Sequence, residues 1–368
     1  MTDLADISPV SPREYADIER KFAELVGTHR DCILVQGEAI LSLEAAARGL
    51  GGPGARALNV VTGPYGAIFG DWLRQTGAEV DDLAVEFDRA VTTDQVRDSL
   101  TRAGTVDLVS IVHTEAATGV VNPLPEIAAA VRDAGALLVV DAVASIGADP
   151  LDIDAWDLDV TVVAAQKALA GPTGAAAVVV GERGWERLRS NPAAPRRSIL
   201  SLLDWKERWI DSNRESLPVI PHHVETRLLG EALDSALAEG LDAIVARHAR
   251  ARDACRAGLR ELGLEPWVRN DREATAVATT VRVPEGVSAA SLLDAARDAS
   301  RDALPLPISP APGPLGAVAL RVDHTGRRAN LSTVLAALAA LGLGLRRLGV
   351  GSAVGGALEA AVSAYQSD

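Results

Sequence analysis

The sequence is poor in cysteine and in long apolar stretches. Its two cysteines, Cys32 and Cys255, lie far apart in a chain of 368 residues, which argues against a disulfide framework or a cysteine-based metal site. No run of 18 apolar residues occurs, and the first residues have neither the basic nor the apolar region of a signal peptide. We therefore expect a cytoplasmic protein with no metal and no membrane partner.

Positive charge is also scarce. The chain carries 36 basic and 50 acidic residues, which gives a formal net charge of −14 at pH 7. A surface of this sign repels a phosphate backbone, so we expect no nucleic-acid partner. Hydrophobic residues make up 48% of the chain, and its length is ample for a real core.

Lysine is rarer still, since only three of the 36 basic residues are lysines. Lys21 and Lys206 have charged neighbours, whereas Lys167 follows the apolar residues 162–165 and has no acid within seven positions. Burial lowers the pKa of an amine, and a neutral amine is what Schiff-base chemistry with a carbonyl requires. The alternative is a lysine at a strand end whose ammonium group reaches solvent.

Strand and helix patterns alternate through the first half of the chain. Strands are predicted at residues 32–36, 57–61, 80–85, 107–112, 136–141, 159–164 and 175–180, and helices at 38–50, 65–75, 93–102 and 124–133. Strands that are apolar on both faces and separated by helices indicate an α/β fold with a mostly parallel sheet. Ligands bind at the carboxyl ends of such strands, where Gly37, Asp141 and Lys167 can converge.

The chain is predicted to have three parts. Residues 1–25 are read as an N-terminal arm, 26–246 as a large domain that carries Lys167, and 247–368 as a smaller α+β domain. Within the large domain, residues 181–220 are loop-rich and contain three tryptophans, Trp185, Trp205 and Trp209. These tryptophans form either an oligomer surface or ordinary packing.

A group of side chains near the predicted strand ends suits a pyridine-type ring. Asp141 ends an apolar strand and could keep a ring nitrogen protonated, although taken alone a helix cap or a hydrogen-bonded loop acid is the commoner explanation. Val143 is spaced to press on one ring face, and Tyr65 could stack on the other or pack in the core. Thr118 could donate to a ring hydroxyl or belong to a plain turn.

Two motifs carry a resemblance to a known family. Residues 140–145, Val-Asp-Ala-Val-Ala-Ser, are followed by residues 166–174, Gln-Lys-Ala-Leu-Ala-Gly-Pro-Thr-Gly. Together they resemble class V aminotransferases of the pyridoxal 5'-phosphate (PLP) fold-type I superfamily, and the similarity runs from about residue 32 to residue 347. The resemblance implies a large domain with a mostly parallel central sheet, a smaller α+β C-terminal domain, and a homodimer or dimer of dimers.

The resemblance also implies roles for individual residues. Lys167 would be the catalytic Schiff-base and proton-transfer residue, and Asp141 the partner of the ring nitrogen. Tyr65 would stack on the cofactor, and Gln166 would contact it. Arg321 matches the arginine that binds the substrate carboxylate, which its planar guanidinium can hold through two hydrogen bonds.

The turn that would hold the cofactor phosphate departs from the family pattern. It contains Gly37, Glu38 and Ala39, with Glu38 where a serine is expected. A carboxylate opposes phosphate and could instead accept a hydrogen bond from a hydroxymethyl group, although an acid at a helix start is also common. Leu217 and Ile220 align with a tyrosine and a threonine by which the partner chain usually binds the phosphate.

These departures resemble a branch of the family that uses unphosphorylated vitamin B6 as substrate. We therefore expect amino transfer from pyridoxamine to a small 2-oxo acid, with pyruvate favoured, giving pyridoxal and L-alanine. No tightly bound cofactor is expected, with PLP as the alternative. Pro312 stands where that branch has a second arginine, so the acceptor is left open.

Two other functions fit the same residues. One is an ordinary PLP-dependent aminotransferase of the alanine–glyoxylate or serine–pyruvate type, or a related lyase. The other is a B6-binding protein without catalytic activity. Turnover with any amino donor would exclude the last.

Overall fold

The computed structural model describes residues 8–300 and 306–367, and its central element is a seven-stranded sheet. The strands of all the sheets in the described residues, in chain order, are β1 (Asp31–Gln36), β2 (Arg56–Val61), β3 (Glu79–Ala84), β4 (Leu108–Val112), β5 (Thr114–Glu115), β6 (Val120–Val121), β7 (Leu137–Asp141), β8 (Val160–Ala164), β9 (Ala175–Val180), β10 (Thr279–Arg282), β11 (Ile308–Pro310) and β12 (Ala319–Val322). The large sheet has the order β1-β9-β8-β7-β4-β2-β3. Strands β8, β7, β4, β2 and β3 run parallel, while β9 is antiparallel to both of its neighbours. The predicted mostly parallel α/β fold is confirmed.

Helices cover both faces of this sheet, and further helices lie in the C-terminal part of the chain. They are α1 (Pro12–Leu25), α2 (Ala39–Leu50), α3 (Pro64–Gln75), α4 (Thr93–Ala103), α5 (Leu124–Asp133), α6 (Glu182–Ser190), α7 (Leu202–Trp205), α8 (His223–Glu239), α9 (Leu241–Glu261), α10 (Ala289–Ala299), α11 (Leu331–Arg347) and α12 (Val354–Gln366). Shorter turns are a π-helical segment (Lys206–Ile210) and 3-10 segments (Asp271–Glu273, Gly313–Ala317 and Gly326–Arg328). No described helix combines the length and the apolar character needed to cross a bilayer.

The composition of the central strands explains why they lie inside. Every residue of β4, β7, β8 and β9 is buried, and most are valine, leucine or alanine. Strands apolar on both faces are stable only when helices cover both sides. The edge strand β3 carries Asp81 and Asp82 instead and is largely exposed, as suits an edge that must resist pairing with another chain.

A second hydrophobic core surrounds the three-stranded sheet β10-β12-β11. The residues of the main core extend to Ile244, and those of the second core begin at Ala251, so both cores draw on α9. The predicted domain limits at 25/26 and 246/247 remain predictions.

The segment predicted as an arm contains α1, which begins with a capping box formed by Ser11 and Glu14. Tyr15, Ile18 and Phe22 on this helix are buried in the main core. The Tyr15 hydroxyl donates to the Leu34 carbonyl at 2.7 Å, which ties α1 to β1. Residues 1–7 lie outside the described part of the chain.

The tryptophans of residues 181–220 pack inside the molecule. Trp185, Trp205 and Trp209 are all buried, and the ring of Trp205 stacks on Tyr15 with centroids 5.6 Å apart. Of the two interpretations of these residues, the structure shows ordinary packing. The stretch also contains α6, α7 and the π-helical segment.

Candidate active site

The sheet brings the predicted site residues to one edge. Asp141 is the last residue of β7, Lys167 follows β8 by three residues, and Glu38 follows β1 by two. Because β9 is antiparallel to both β8 and β1, those two strands run in the same direction. Their carboxyl ends therefore lie on the same edge as that of β7, where parallel sheets bind ligands.

Lys167 lies in a tight loop beneath the ring of Tyr65. Its Nζ is 5.6 Å from the centroid of that ring. The loop closes through a hydrogen bond of 2.7 Å from the Gly171 amide to the Ala165 carbonyl, with Ala170 in the left-handed region at φ 56°. Burial lowers the pKa of the Lys167 amine, as the apolar sequence around it predicts, and the nearby Asp141 charge opposes that effect.

Asp141 is held by the chain that follows it. Its Oδ1 accepts a hydrogen bond of 2.9 Å from the Val143 amide, and the residue is only 8% exposed. Burial raises the pKa of this carboxyl, while the charge of Lys167 lowers it. The Asp141 carboxylate can therefore stabilise a positive charge on a ligand that binds next to Lys167.

Tyr65 is half-buried at the start of α3, and its position depends on Glu115. The Tyr65 amide donates to Glu115 Oε2 at 3.2 Å. Gly63 is needed just before the helix, because a Cβ there would lie 2.1 Å from Glu115 Cγ. Burial raises the pKa of the Tyr65 phenol, and the Glu115 charge adds to the effect.

Glu115 is a site residue that the sequence interpretation missed. It is fully buried, its Oε1 has no hydrogen-bond partner among the described residues, and burial raises the pKa of its carboxyl to about 7. The charge of Asp141 contributes to that rise. An acid three residues beyond the mostly apolar strand β4 was the available signal.

The predicted phosphate turn lies at the N-terminus of α2. Glu38 is the N-cap residue, and its Oε2 accepts from the Ile40 amide at 2.8 Å. Its Oε1 accepts from Gln166 Nε2, so the turn is joined to the lysine loop. Gly37 has φ 117° and donates its amide to the Gly174 carbonyl at 2.8 Å, a conformation that favours glycine.

The remaining predicted ring contacts are buried near this edge. Thr118, Val143 and Ala39 are all buried, and the Thr118 hydroxyl lies 3.4 Å from the Glu115 carbonyl oxygen. Gln166 Oε1 is buried without a partner among the described residues. A buried acceptor of this kind beside a lysine is suited to a ligand donor.

Arg321 reaches the site from the small sheet. It lies on β12, and its charge adds to the lowering of the Lys167 pKa that burial causes. The loop after β12 packs on the lysine loop at Gly326, where a Cβ would lie 2.9 Å from the Lys167 carbonyl. His248 holds this loop, because its Nε2 accepts from the Gly326 amide at 3.0 Å.

The sequence and the fold are similar to those of known aminotransferases. The family model described as Aminotransferase class-V matches residues 7–299. A pyridoxamine–pyruvate transaminase of Mesorhizobium japonicum is 33% identical over 367 residues, which span 100% of this chain and 92% of the relative. The crystal structure of pyridoxamine-pyruvate aminotransferase from Mesorhizobium loti superposes with a TM-score of 0.91 at 33% identity, covering 96% of this chain and 90% of that one. Ureidoglycine-glyoxylate aminotransferase from Bacillus subtilis gives a TM-score of 0.86 at 25% identity, over 98% and 93%.

These matches overturn one prediction, that no cofactor is tightly bound. Class V aminotransferases depend on PLP, so PLP is the expected cofactor here and the prediction is wrong. The residues around Lys167 fit its ring: a buried amine, a buried acid at a strand end, an aromatic side chain and an unpartnered amide oxygen. By family model and full-length similarity, the chain belongs to the class V aminotransferases and is an enzyme of the transaminase type.

Proposed function

We propose that the enzyme transfers the amino group of pyridoxamine to a small 2-oxo acid, with pyruvate as the first acceptor to test, giving pyridoxal and L-alanine. The observation that carries this proposal is the carboxylate of Glu38 at the start of α2. It occupies the helix N-terminus, where the amides and the helix dipole would otherwise favour an anionic ligand.

Glu38 distinguishes a phosphorylated ring from an unphosphorylated one. Two charges 4 Å apart repel by about 1 kcal/mol in water and about 4 kcal/mol near a protein surface. The hydroxymethyl group of pyridoxamine carries no charge and can donate a hydrogen bond to a carboxylate. PLP and pyridoxamine share the ring site, so the acid shifts their competition toward pyridoxamine.

The charges around Lys167 favour the same donor. Three carboxylates, those of Asp141, Glu115 and Glu38, act on the lysine together with one guanidinium, that of Arg321. An excess of acids near the lysine attracts a cationic amine such as that of pyridoxamine. The full-length similarity to a protein named pyridoxamine–pyruvate transaminase agrees with this preference.

The mechanism assigns each side chain one task. A bound B6 ring supplies the electron sink of the reaction, and Asp141 keeps the ring nitrogen protonated. Lys167, neutral because its pKa is lowered by burial, moves one proton from the donor carbon to the acceptor carbon. Arg321 binds the acceptor carboxylate, while Tyr65 holds one face of the ring. The donor amine ends as an aldehyde, and the acceptor ketone ends as an amine.

We also propose that the enzyme works as a homodimer. Exposed apolar side chains gather beside a cavity of about 410 Å³ whose lining includes Ile199, Val219 and Ile220. Ile220 is 82% exposed, and a second copy of the chain would cover it. Sedimentation of the Ile220→Asp variant should show a shift from dimer toward monomer.

The function is tested with the purified protein, pyridoxamine and pyruvate. We expect pyridoxal and alanine in equal amounts over many turnovers, measured by mass spectrometry. Lys167→Ala should abolish turnover, and Lys21→Ala, which changes a lysine on α1, should not. Transamination only with PLP and an amino-acid donor such as alanine with glyoxylate would identify an ordinary class V aminotransferase instead.

A further inference from the structure

We infer that Asp323 sets the acceptor specificity, by pairing with Arg321 so that the site takes a 2-oxo acid with one carboxylate and rejects one with two. The inference rests on the proposed function, in which Arg321 binds the carboxylate of the acceptor.

The ion pair between Arg321 and Asp323 is built into the small sheet. Arg321 Nε donates to Asp323 Oδ1 at 2.5 Å, and the two side chains are 26% and 18% exposed. The Ser309 hydroxyl on β11 donates to Asp323 Oδ2 at 2.8 Å. The Asp323 amide donates to the Pro307 carbonyl at 2.8 Å. Both carboxylate oxygens and the backbone are thus held, so the acid is fixed rather than free to leave the arginine.

This pairing orients the guanidinium. Nε is taken by Asp323, and no described residue bonds the two terminal nitrogens of Arg321. Those nitrogens form a planar fork that matches one carboxylate. Arg321 lies on the strand that leads into the contact between Gly326 and the lysine loop, so the fork belongs to the part of the small sheet that meets that loop.

The pairing also cancels the positive charge of Arg321. Arg321 and Asp323 together carry no net charge, so the pair and one bound carboxylate carry a net charge of about −1. The other charges that act on Lys167 are acids, namely Asp141, Glu115 and Glu38. Pro312, at the position expected to hold a second arginine, supplies no cation. A second carboxylate on the acceptor would therefore meet repulsion without a partner.

The test measures equilibrium binding of two unreactive acids, propionate and succinate, to the protein loaded with PLP. Ligand-observed NMR detects both, and neither turnover nor an amino donor is needed. In the unchanged protein we expect succinate to bind at least tenfold more weakly than propionate. Asp323→Asn removes the charge and keeps an oxygen that can accept from Arg321, so this difference should fall below threefold.

Two further variants separate charge from orientation. Asp294→Asn removes an exposed acid on α10 and should leave the tenfold difference unchanged. Ser309→Ala loses the bond that fixes Asp323 but keeps its charge, so it should weaken both acids while their ratio stays near tenfold.

Three results would overturn the inference. They are equal binding of the two acids to the unchanged protein, an unaltered ratio in Asp323→Asn, and a ratio that Ser309→Ala abolishes. Each can be observed whether or not pyridoxamine is the amino donor, so a failure of the proposed function is distinguished from a failure of this inference.

Discussion

At the scale of single residues, the site depends on a few side chains whose charge is set by burial. Lys167 has its pKa lowered and Glu115 has its pKa raised by the same cause, since a charged group is costly away from water. Glu38, by contrast, is exposed. Its carboxylate acts electrostatically on the ligand that binds at the turn before α2.

Replacing Glu38 should change which form of vitamin B6 the site prefers. In Glu38→Gln, loss of the carboxylate charge should raise PLP affinity about tenfold, which corresponds to about 1.4 kcal/mol, and should lower kcat/KM for pyridoxamine. Fluorescence titration measures the PLP affinity, and initial rates with pyridoxamine and pyruvate measure kcat/KM. The matched surface variant Glu126→Gln on α5 should change neither, and an unchanged PLP affinity in Glu38→Gln would contradict the proposed role.

Replacing Glu115 should change how stability depends on pH. Its pKa is about 7 in the folded protein against 4.5 as the ordinary value, so the folded state holds the proton more tightly. The stability that protonated Glu115 contributes is fully present below pH 4.5 and is lost as the pH rises through 7. It amounts to about 3 kcal/mol at most, at about 1.4 kcal/mol per pH unit.

Glu115→Gln resembles the protonated acid at every pH. The variant should therefore gain stability over the unchanged protein at pH 8 and gain little at pH 4.5, as measured by urea unfolding at both values. Asp141, Lys167 and Tyr65 face Glu115 and are present in both proteins. If the difference between the two proteins were the same at both pH values, Glu115 would not titrate as described.

At the scale of elements, the site is assembled by a contact between two loops. The loop after β12 meets the lysine loop at Gly326, and α9 holds it from behind. Arg247 Nη1 donates to the Gly326 carbonyl at 2.7 Å, beside the bond that His248 accepts from the Gly326 amide. The position of Arg321 relative to Lys167 therefore depends on a glycine.

Gly326→Ala should reduce activity more than stability. The added methyl group would approach the Lys167 carbonyl to 2.9 Å, and φ at this position is 59°. We expect at least a tenfold loss of kcat/KM with about 1 kcal/mol of destabilisation.

Gly349→Ala is the matched control. Its φ is 77°, but a Cβ there meets nothing within 4 Å. It should lose similar stability and keep full activity. Equal activity in the two variants would show that the contact between the loops does not position the lysine.

At the scale of the whole molecule, three buried histidines make the fold sensitive to acid. Burial lowers the pKa of His248 to about 4, and that of His113 and His324 to about 3. A histidine held neutral in the fold contributes stability that is present above pH 6.5 and is lost as the pH falls toward its folded pKa. Three such groups outweigh the opposite trend of Glu115 below pH 6.5.

The free energy of unfolding should accordingly fall between pH 7.5 and pH 5, with a slope to which each buried histidine contributes up to about one proton. In His324→Gln, the slope of the unfolding free energy against pH should decrease by about one proton. Loss of the contact with Thr279 should lower the absolute stability without changing this difference in slope. The exposed His29→Gln should keep the original slope. A slope unaffected by His324→Gln would exclude this histidine as a source of acid sensitivity.

The sequence by itself determined the alternation of strands and helices, the mostly parallel sheet and the isolation of Lys167. These follow from periodicity and from the nearest neighbours in the chain, so α2, α3 and α5 begin and end within a residue or two of their predictions. It also determined that Gly37, Asp141 and Lys167 lie at or just past strand ends, because a strand end is a local feature.

Only the tertiary structure decided which distant residues join them. The packing of α1 into the core, the bond from the Tyr65 amide to Glu115 and the hold of His248 on Gly326 all connect residues far apart in the chain. The pairing of Arg321 with Asp323 is close in sequence, yet its effect depends on where β12 lies. Such contacts follow from how the elements pack, and local pattern does not record that packing.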